Sequence, residues 1–191
     1  MNGDWIETAL GGKAWPLELR AEDVESYDIA HALSNICRFG GHCRVFYSVA
    51  QHSCLVHDLL ESQSQPDGIL LAGLLHDAVE AYMGDVVRPI KHTELMKPYR
   101  LAEKHGLEAI FLRHGLSMDS YTPAVSKADE RVLRAEGRDL MCSSGRHWTQ
   151  CVGVEPWPAE QIVPLSPGRA KREFLFRLRK YRDIISGRGV A

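Results

Sequence analysis

The chain has no C-x-x-C pair, and its five cysteines (Cys37, Cys43, Cys54, Cys142, Cys151) are odd in number among 191 residues. That spacing argues against a zinc ribbon and against a disulfide framework, and suits reduced thiols in a cytoplasmic protein. The start, Met1-Asn2-Gly3-Asp4-Trp5, lacks the basic opening and apolar core of a signal peptide. No apolar run approaches the roughly 18–20 residues that a membrane span needs. Lys and Arg (23) do not outnumber Asp and Glu (25), and a net charge of −2 gives no bulk attraction to nucleic acid. A Walker-type glycine-rich loop is also missing, which argues against P-loop, nucleotide-driven work. Repeats, low-complexity tracts and a marked linker are absent, so one domain is expected.

What is present is an ordinary globular composition, 45% hydrophobic and 25% charged, with nine histidines that favour metal or proton chemistry. Residues 1–22 mix Gly, Pro and Trp and read as a short irregular N-terminal arm, hairpin or extended, before a domain over 23–191. From there the reading is all-α. Ser26 or Asp28 caps a helix through Ile29–Ile36, which Gly40-Gly41 stops. Ser48 caps a second helix to about Glu61, with Val49, Leu55, Val56, Leu59 and Leu60 at helical spacing. The spacing predicts a third helix from Ile69 to Tyr82, ended by Gly84, and a non-helical stretch at 85–91 broken by Pro89. A helix over Thr93–His114 bent at Pro98, another from Thr122-Pro123 to about Cys142, and an amphipathic one over Pro167–Ile185 complete the set. Residues 144–167, rich in Gly, Pro and Trp, read as loop. The basic run Arg169–Lys180 reads as a solvated helix face with Phe174, Leu175, Leu178 and Tyr181 turned inward, so no nucleic-acid partner is expected.

Chemistry concentrates at His76-Asp77, near the end of the apolar run Leu70–Leu75. A His and an Asp there are costly to bury without a partner, and a divalent ion is the natural one. Glu80 lies at i+4 and i+3 from the pair, positions that share a helix face, and Asp85 brings another carboxylate to the same end. His52, on the preceding helix, is on its own a core histidine, and Asp129, early in a later helix, is on its own a surface or capping residue. Together the four make a two-His, two-Asp set whose charge balances a divalent ion.

The motifs Arg38-Phe39-Gly40-Gly41-His42, Tyr47-Ser48-Val49-Ala50-Gln51-His52-Ser53, Leu74-Leu75-His76-Asp77-Ala78-Val79-Glu80-Ala81, Gly84-Asp85 and Lys127-Ala128-Asp129 resemble those of the HD-domain metal-dependent phosphohydrolases. The likeness runs from about Asp28 to Met141 and is to the small nucleotidase branch, which includes 5′-deoxynucleotidases and phage dATP triphosphohydrolases. It implies a single-domain helical bundle with one divalent ion, zinc, cobalt or manganese, held by His52, His76, Asp77 and Asp129. It also implies that Glu80 activates or positions water and that Asp85 stands near the scissile phosphate. Arg38 would contact phosphate, Phe39 would stand near the nucleoside where relatives often place Trp, and Lys91 and His42 would be further substrate contacts. The Gly40-Gly41 pair would permit the turn that aims Arg38 and Phe39 inward.

The expected function is therefore a (deoxy)nucleotide phosphohydrolase. It acts either on monophosphates or, by releasing triphosphate, on deoxynucleoside triphosphates; basic groups beyond the metal would favour the second. The alternatives are a non-catalytic nucleotide- or metal-binding regulator, and a cyclic-nucleotide or (p)ppGpp hydrolase on the same scaffold. The partner is a small nucleotide, with no membrane, and apolar faces in Thr93–His114 suit a homo-oligomer. Trp148 and Trp157 are placed to cover the pocket or to pack within their loop, and loop packing is the expectation.

Overall fold

A computed structural model describes residues 4–145, 147–149 and 152–186. Met1–Gly3 of the expected arm, the Cys151 thiol and the end of the 23–191 domain past Ser186 lie outside the described residues. The molecule is mostly α-helical, as expected, with one two-stranded antiparallel sheet. That sheet pairs β1 (Ile6–Glu7) with β2 (Lys13–Ala14), the hairpin form of the N-terminal arm. Ala14, Leu19 and Val24 are fully buried, so the arm docks its apolar residues into the helical core.

Helix α1 (Ser26–Asn35) starts one residue early for a Ser26 cap: Glu25 holds the cap position without a side-chain bond. Asp28 turns inward instead, its Oδ1 accepting from Leu10 N at 2.9 Å. Helix α2 (Val49–Ser62) has the expected cap, Ser48 Oγ accepting from Gln51 N at 3.2 Å. Helix α3 (Asp67–Leu75) is apolar all round and buried from Leu70 to Leu75, as a central helix must be. A Cβ on Gly73 would lie 2.3 Å from Leu60 Cδ1, so glycine is what lets α3 approach α2 so closely.

The expected helix to Tyr82 is interrupted. Residues 76–79 form tightened turns before α4 (Glu80–Met83), with Ala78 N bonding Leu75 O and Glu80 N bonding Asp77 O. The cause is local: the His76 ring Nδ1 donates to Gly73 O at 2.8 Å and so competes for a carbonyl of the helix. Gly84, at φ 80°, ends α4 as expected. Two proline readings change. Pro89 sits in the first turn of a short helix, α5 (Arg88–Lys91), and Pro98 opens α6 (Lys97–Arg113) rather than bending it. Proline suits a first turn because no intrahelical donor is needed there. Helix α7 (Pro123–Leu140) begins at Thr122-Pro123 as the sequence indicates.

The last predicted helix is three pieces: α8 (Pro167–Leu178), a 3-10 turn (Arg179–Tyr181) and α9 (Arg182–Ile185). Phe174, Leu178 and Tyr181 are buried and Leu175 is half-buried. Polar ties fix this end to the outer side of α2. Arg177 Nη2 reaches Asp58 Oδ2 at 2.7 Å, Lys180 Nζ reaches Glu61 Oε1 at 2.9 Å, and the buried His57 Nε2 meets the Tyr181 hydroxyl at 2.7 Å. His57 is thereby a packing residue, as its position off the His52 face predicts. Leu101 and Leu112 of α6 are exposed, and Cys37, Cys43, Cys54 and Cys142 are free. No helix among the described residues is long and apolar enough to cross a membrane.

Candidate metal centre

His52 projects from α2, His76 and Asp77 from the turn after α3, and Asp129 from the second turn of α7. His52 Nε2 lies 3.2 Å from His76 Nε2, 3.1 Å from Asp129 Oδ1 and 3.5 Å from Asp77 Oδ2. His76 Nε2 lies 3.2 Å from Asp77 Oδ2 and 4.0 Å from Asp129 Oδ1. Ligand atoms bound at about 2.0–2.2 Å to one ion stand roughly 3 Å apart; His52, His76 and Asp129 lie close enough together to hold one ion, and Asp77 Oδ2 lies within 3.5 Å of both imidazoles.

The far nitrogen of each ring is committed. His76 Nδ1 faces Gly73 O, and His52 Nδ1 faces Glu136 Oε1 at 2.7 Å. A carbonyl and a carboxylate only accept, so both Nδ1 atoms carry hydrogen and both Nε2 atoms of the neutral rings turn lone pairs toward each other and toward two carboxylates. Four acceptors facing inward require either a proton or a cation between them. Without a cation the proton goes to His52. Burial and Arg38 oppose its charged form, but Glu136 and Asp129 outweigh them and push its pKa up to about 10. Burial likewise works against the Asp77 and Asp129 carboxylates, yet the imidazoles hold both below the ordinary range.

A raised histidine pKa means that an incoming ion must displace a proton. Divalent-ion affinity is therefore expected to climb about tenfold per pH unit between pH 6 and 8, still below the His52 pKa. Competition titrations against a chelating dye measure this, and a pH-independent affinity would contradict the shared-site geometry.

The cluster opens into a cavity of 590 Å³ that gathers the other expected residues: Arg38, Phe39, His42, Glu80, Asp85 and Lys91 all line it, with Asp77 and Asp129. The tightened turn explains how Glu80 joins Asp77, because side chains three apart eclipse in such a turn. Glu80 is buried, with Oε1 3.7 Å from Lys91 Nζ. Burial, followed by the charges of Asp77 and Asp85, raises its carboxyl well above the usual carboxylate range. Lys91 is held in the wall by Glu103 Oε1 at 2.6 Å.

Arg38 is buried, its Nη2 3.1 Å from Glu136 Oε2 and Nη1 3.4 Å from Asp77 Oδ2. Phe39, Gly40 and Gly41 follow it with φ of 57°, 60° and 82°. Three successive left-handed residues turn the chain sharply, and the non-glycine Phe39 costs about 1–2 kcal/mol in that conformation. The Phe39 ring stacks on Trp148, centroids 5.4 Å apart. Trp148 thus forms part of the cavity wall, correcting the expectation of packing confined to its loop.

Sequence reasoning missed Glu136. It is fully buried on α7 and joins His52 to Arg38. Its signal was the i+7 offset from Asp129, which keeps both on one helix face amid Val132, Leu133 and Leu140. Burial opposes the charge on Glu136, but Arg38 and His52 hold its pKa below the usual range. Arg88 and His92 of the α5 segment also line the cavity and were not singled out as site residues.

No family model matches the chain. The chain is 35% identical over 180 residues to Escherichia coli YfdR, covering 94% of this chain and 97% of that one. It is 33% identical over 147 residues to RCAP_rcc00048 of Rhodobacter capsulatus, covering 73% of this chain and 74% of the relative. Both are described as uncharacterized proteins. With identity sustained along nearly the whole of both chains, the protein belongs to the family of Escherichia coli YfdR.

Proposed function

We propose that the protein is a divalent-metal-dependent phosphohydrolase of the HD type acting on nucleotides. The observation that carries this reading is the convergence of two oriented imidazole nitrogens and two carboxylates at one edge of a cavity. Two imidazoles and two carboxylates accept zinc, cobalt or manganese. A bound ion supplies polarisation of a phosphoryl oxygen and acidification of water.

The remaining work falls to the chain itself. Arg38, held by Glu136 and Asp77, places a fixed positive charge beside the phosphoryl oxygens. Lys91, which lines the same cavity, adds a second charge. Glu80, a buried carboxyl beside Asp77 and Asp85, is the group placed to take a proton from the attacking water and return it to the departing oxygen. Asp85 beside it orients that water. The Phe39–Trp148 stack offers a flat apolar face to a nucleobase. The cavity of 590 Å³ is in the range of small-molecule sites.

The test is incubation with nucleoside and deoxynucleoside mono- and triphosphates in zinc, cobalt or manganese, identifying both products. Phosphate or triphosphate release that stops on chelation is expected. Silence toward every nucleotide in all three metals would overturn the reading.

A further inference from the structure

We infer that Cys37 and Cys43 are a redox pair, joined by a reversible disulfide when a peroxide is present, and that the link controls the Arg38 turn. The effect on turnover rests on the phosphohydrolase reading above; the pairing itself does not. The two cysteines bracket Arg38-Phe39-Gly40-Gly41-His42, of which Arg38, Phe39 and His42 line the larger cavity. The Cys37 backbone is fixed by an isolated antiparallel bridge to Ser48. Arg38 N to Tyr47 O at 2.9 Å and Val49 N to Ile36 O at 3.1 Å flank that bridge. The left-handed residues Phe39, Gly40 and Gly41 then bring the chain back, so that Cys43 Sγ lies 3.5 Å from Arg38 O. There the two thiols are hydrogen-bonded to each other.

Both thiols are half-buried, within reach of a small oxidant such as hydrogen peroxide. Burial pushes the Cys43 thiol up to about 12, so it stays protonated and the Cys37 sulfur attacks first. As thiolate, Cys37 breaks the peroxide O–O bond and becomes a sulfenic acid; the hydroxide released takes up the proton that Cys37 has lost. Cys43 then attacks the sulfenic sulfur. The S–S bond forms, and the S–O bond breaks as the hydroxyl leaves with the Cys43 proton as water. Two thiols are oxidised, one peroxide is reduced, and two waters result. A covalent S–S bond is shorter than any thiol hydrogen bond, so the chain between the sulfurs must shift. Ser48 holds the Cys37 backbone, while Glu136 and Asp77 grip the Arg38 guanidinium. The change therefore falls on the left-handed turn, and moves Phe39 against Trp148.

The zinc-loaded protein is treated with hydrogen peroxide, and its intact mass, its non-reduced peptide map and its tryptophan fluorescence are read. Expected are a loss of two hydrogens, a peptide linked through Cys37 and Cys43, and a fluorescence change, all reversed by dithiothreitol. Nucleotide turnover is expected to fall about tenfold or more in the linked form and to return on reduction. Cys43→Ser leaves Cys37 without its partner, so no linked peptide and no fluorescence change are expected from it. Unlinked sulfurs after peroxide, or a link through Cys54 or Cys142 instead, would overturn the pair. A linked form with full turnover would overturn its regulatory role. A protein silent toward every nucleotide that still links Cys37 to Cys43 loses the phosphohydrolase reading and keeps the redox pair.

Discussion

Replacing Asp77 with Ala is expected to cut nucleotide turnover about a thousandfold or more, roughly 4 kcal/mol of transition-state stabilisation. The size follows from what the carboxylate touches. Its Oδ2 stands within 3.5 Å of both imidazole Nε2 atoms and of Arg38 Nη1. Alanine therefore removes one of four inward-facing ligand atoms and one of the two carboxylates that hold Arg38. Asp77→Asn keeps the shape and loses the charge, so an intermediate loss is expected from it. The measurement is kcat/KM at saturating metal, beside a circular dichroism spectrum showing the helices intact. A folded Asp77→Ala protein with full turnover would remove this residue from the chemistry.

Glu136→Ala carries the largest expected stability effect, about 3–5 kcal/mol, because it leaves two buried partners without their counter-charge. Arg38 and His52 both depend on this carboxylate, at 3.1 and 2.7 Å. Denaturant unfolding of the metal-free protein reads that loss directly. Glu136→Gln separates orientation from charge. Its amide oxygen still accepts from His52 Nδ1, but the ring becomes a poorer ligand, and ion affinity is expected to fall about 10–100-fold. An unchanged affinity in Glu136→Gln would mean that the carboxylate only fills space.

The local chemistry of the chain announces most of the helices. Ser48 ahead of an apolar period, and Thr122-Pro123 ahead of another, locate two helix starts without tertiary information. The same logic misplaces Pro89 and Pro98, since a proline that breaks one helix serves equally as the first turn of the next. The interruption after Leu75 escapes periodicity because its cause is a ring nitrogen competing for a backbone carbonyl. At the site, His76, Asp77 and Glu80 are legible as polar residues in an apolar run. His52 and Asp129 are ambiguous alone and joined the set through resemblance to known motifs. Glu136 was hidden because a charged residue inside a helix reads as solvated until its partner Arg38, 98 residues away, is known. Trp148 sits in a segment with no periodicity, so its stacking on Phe39 is a purely tertiary fact.

The origin of the four inward-facing atoms has a consequence for biosynthesis. They come from α2, the turn after α3, and α7, and Asp129 is the last to be made. A nascent chain that has released only the first helices offers two imidazoles and one carboxylate, with neither Glu136 nor Arg38's full set of partners in place. An ion held by all four atoms would therefore be bound only once α7 had docked, and would staple together segments far apart along the chain.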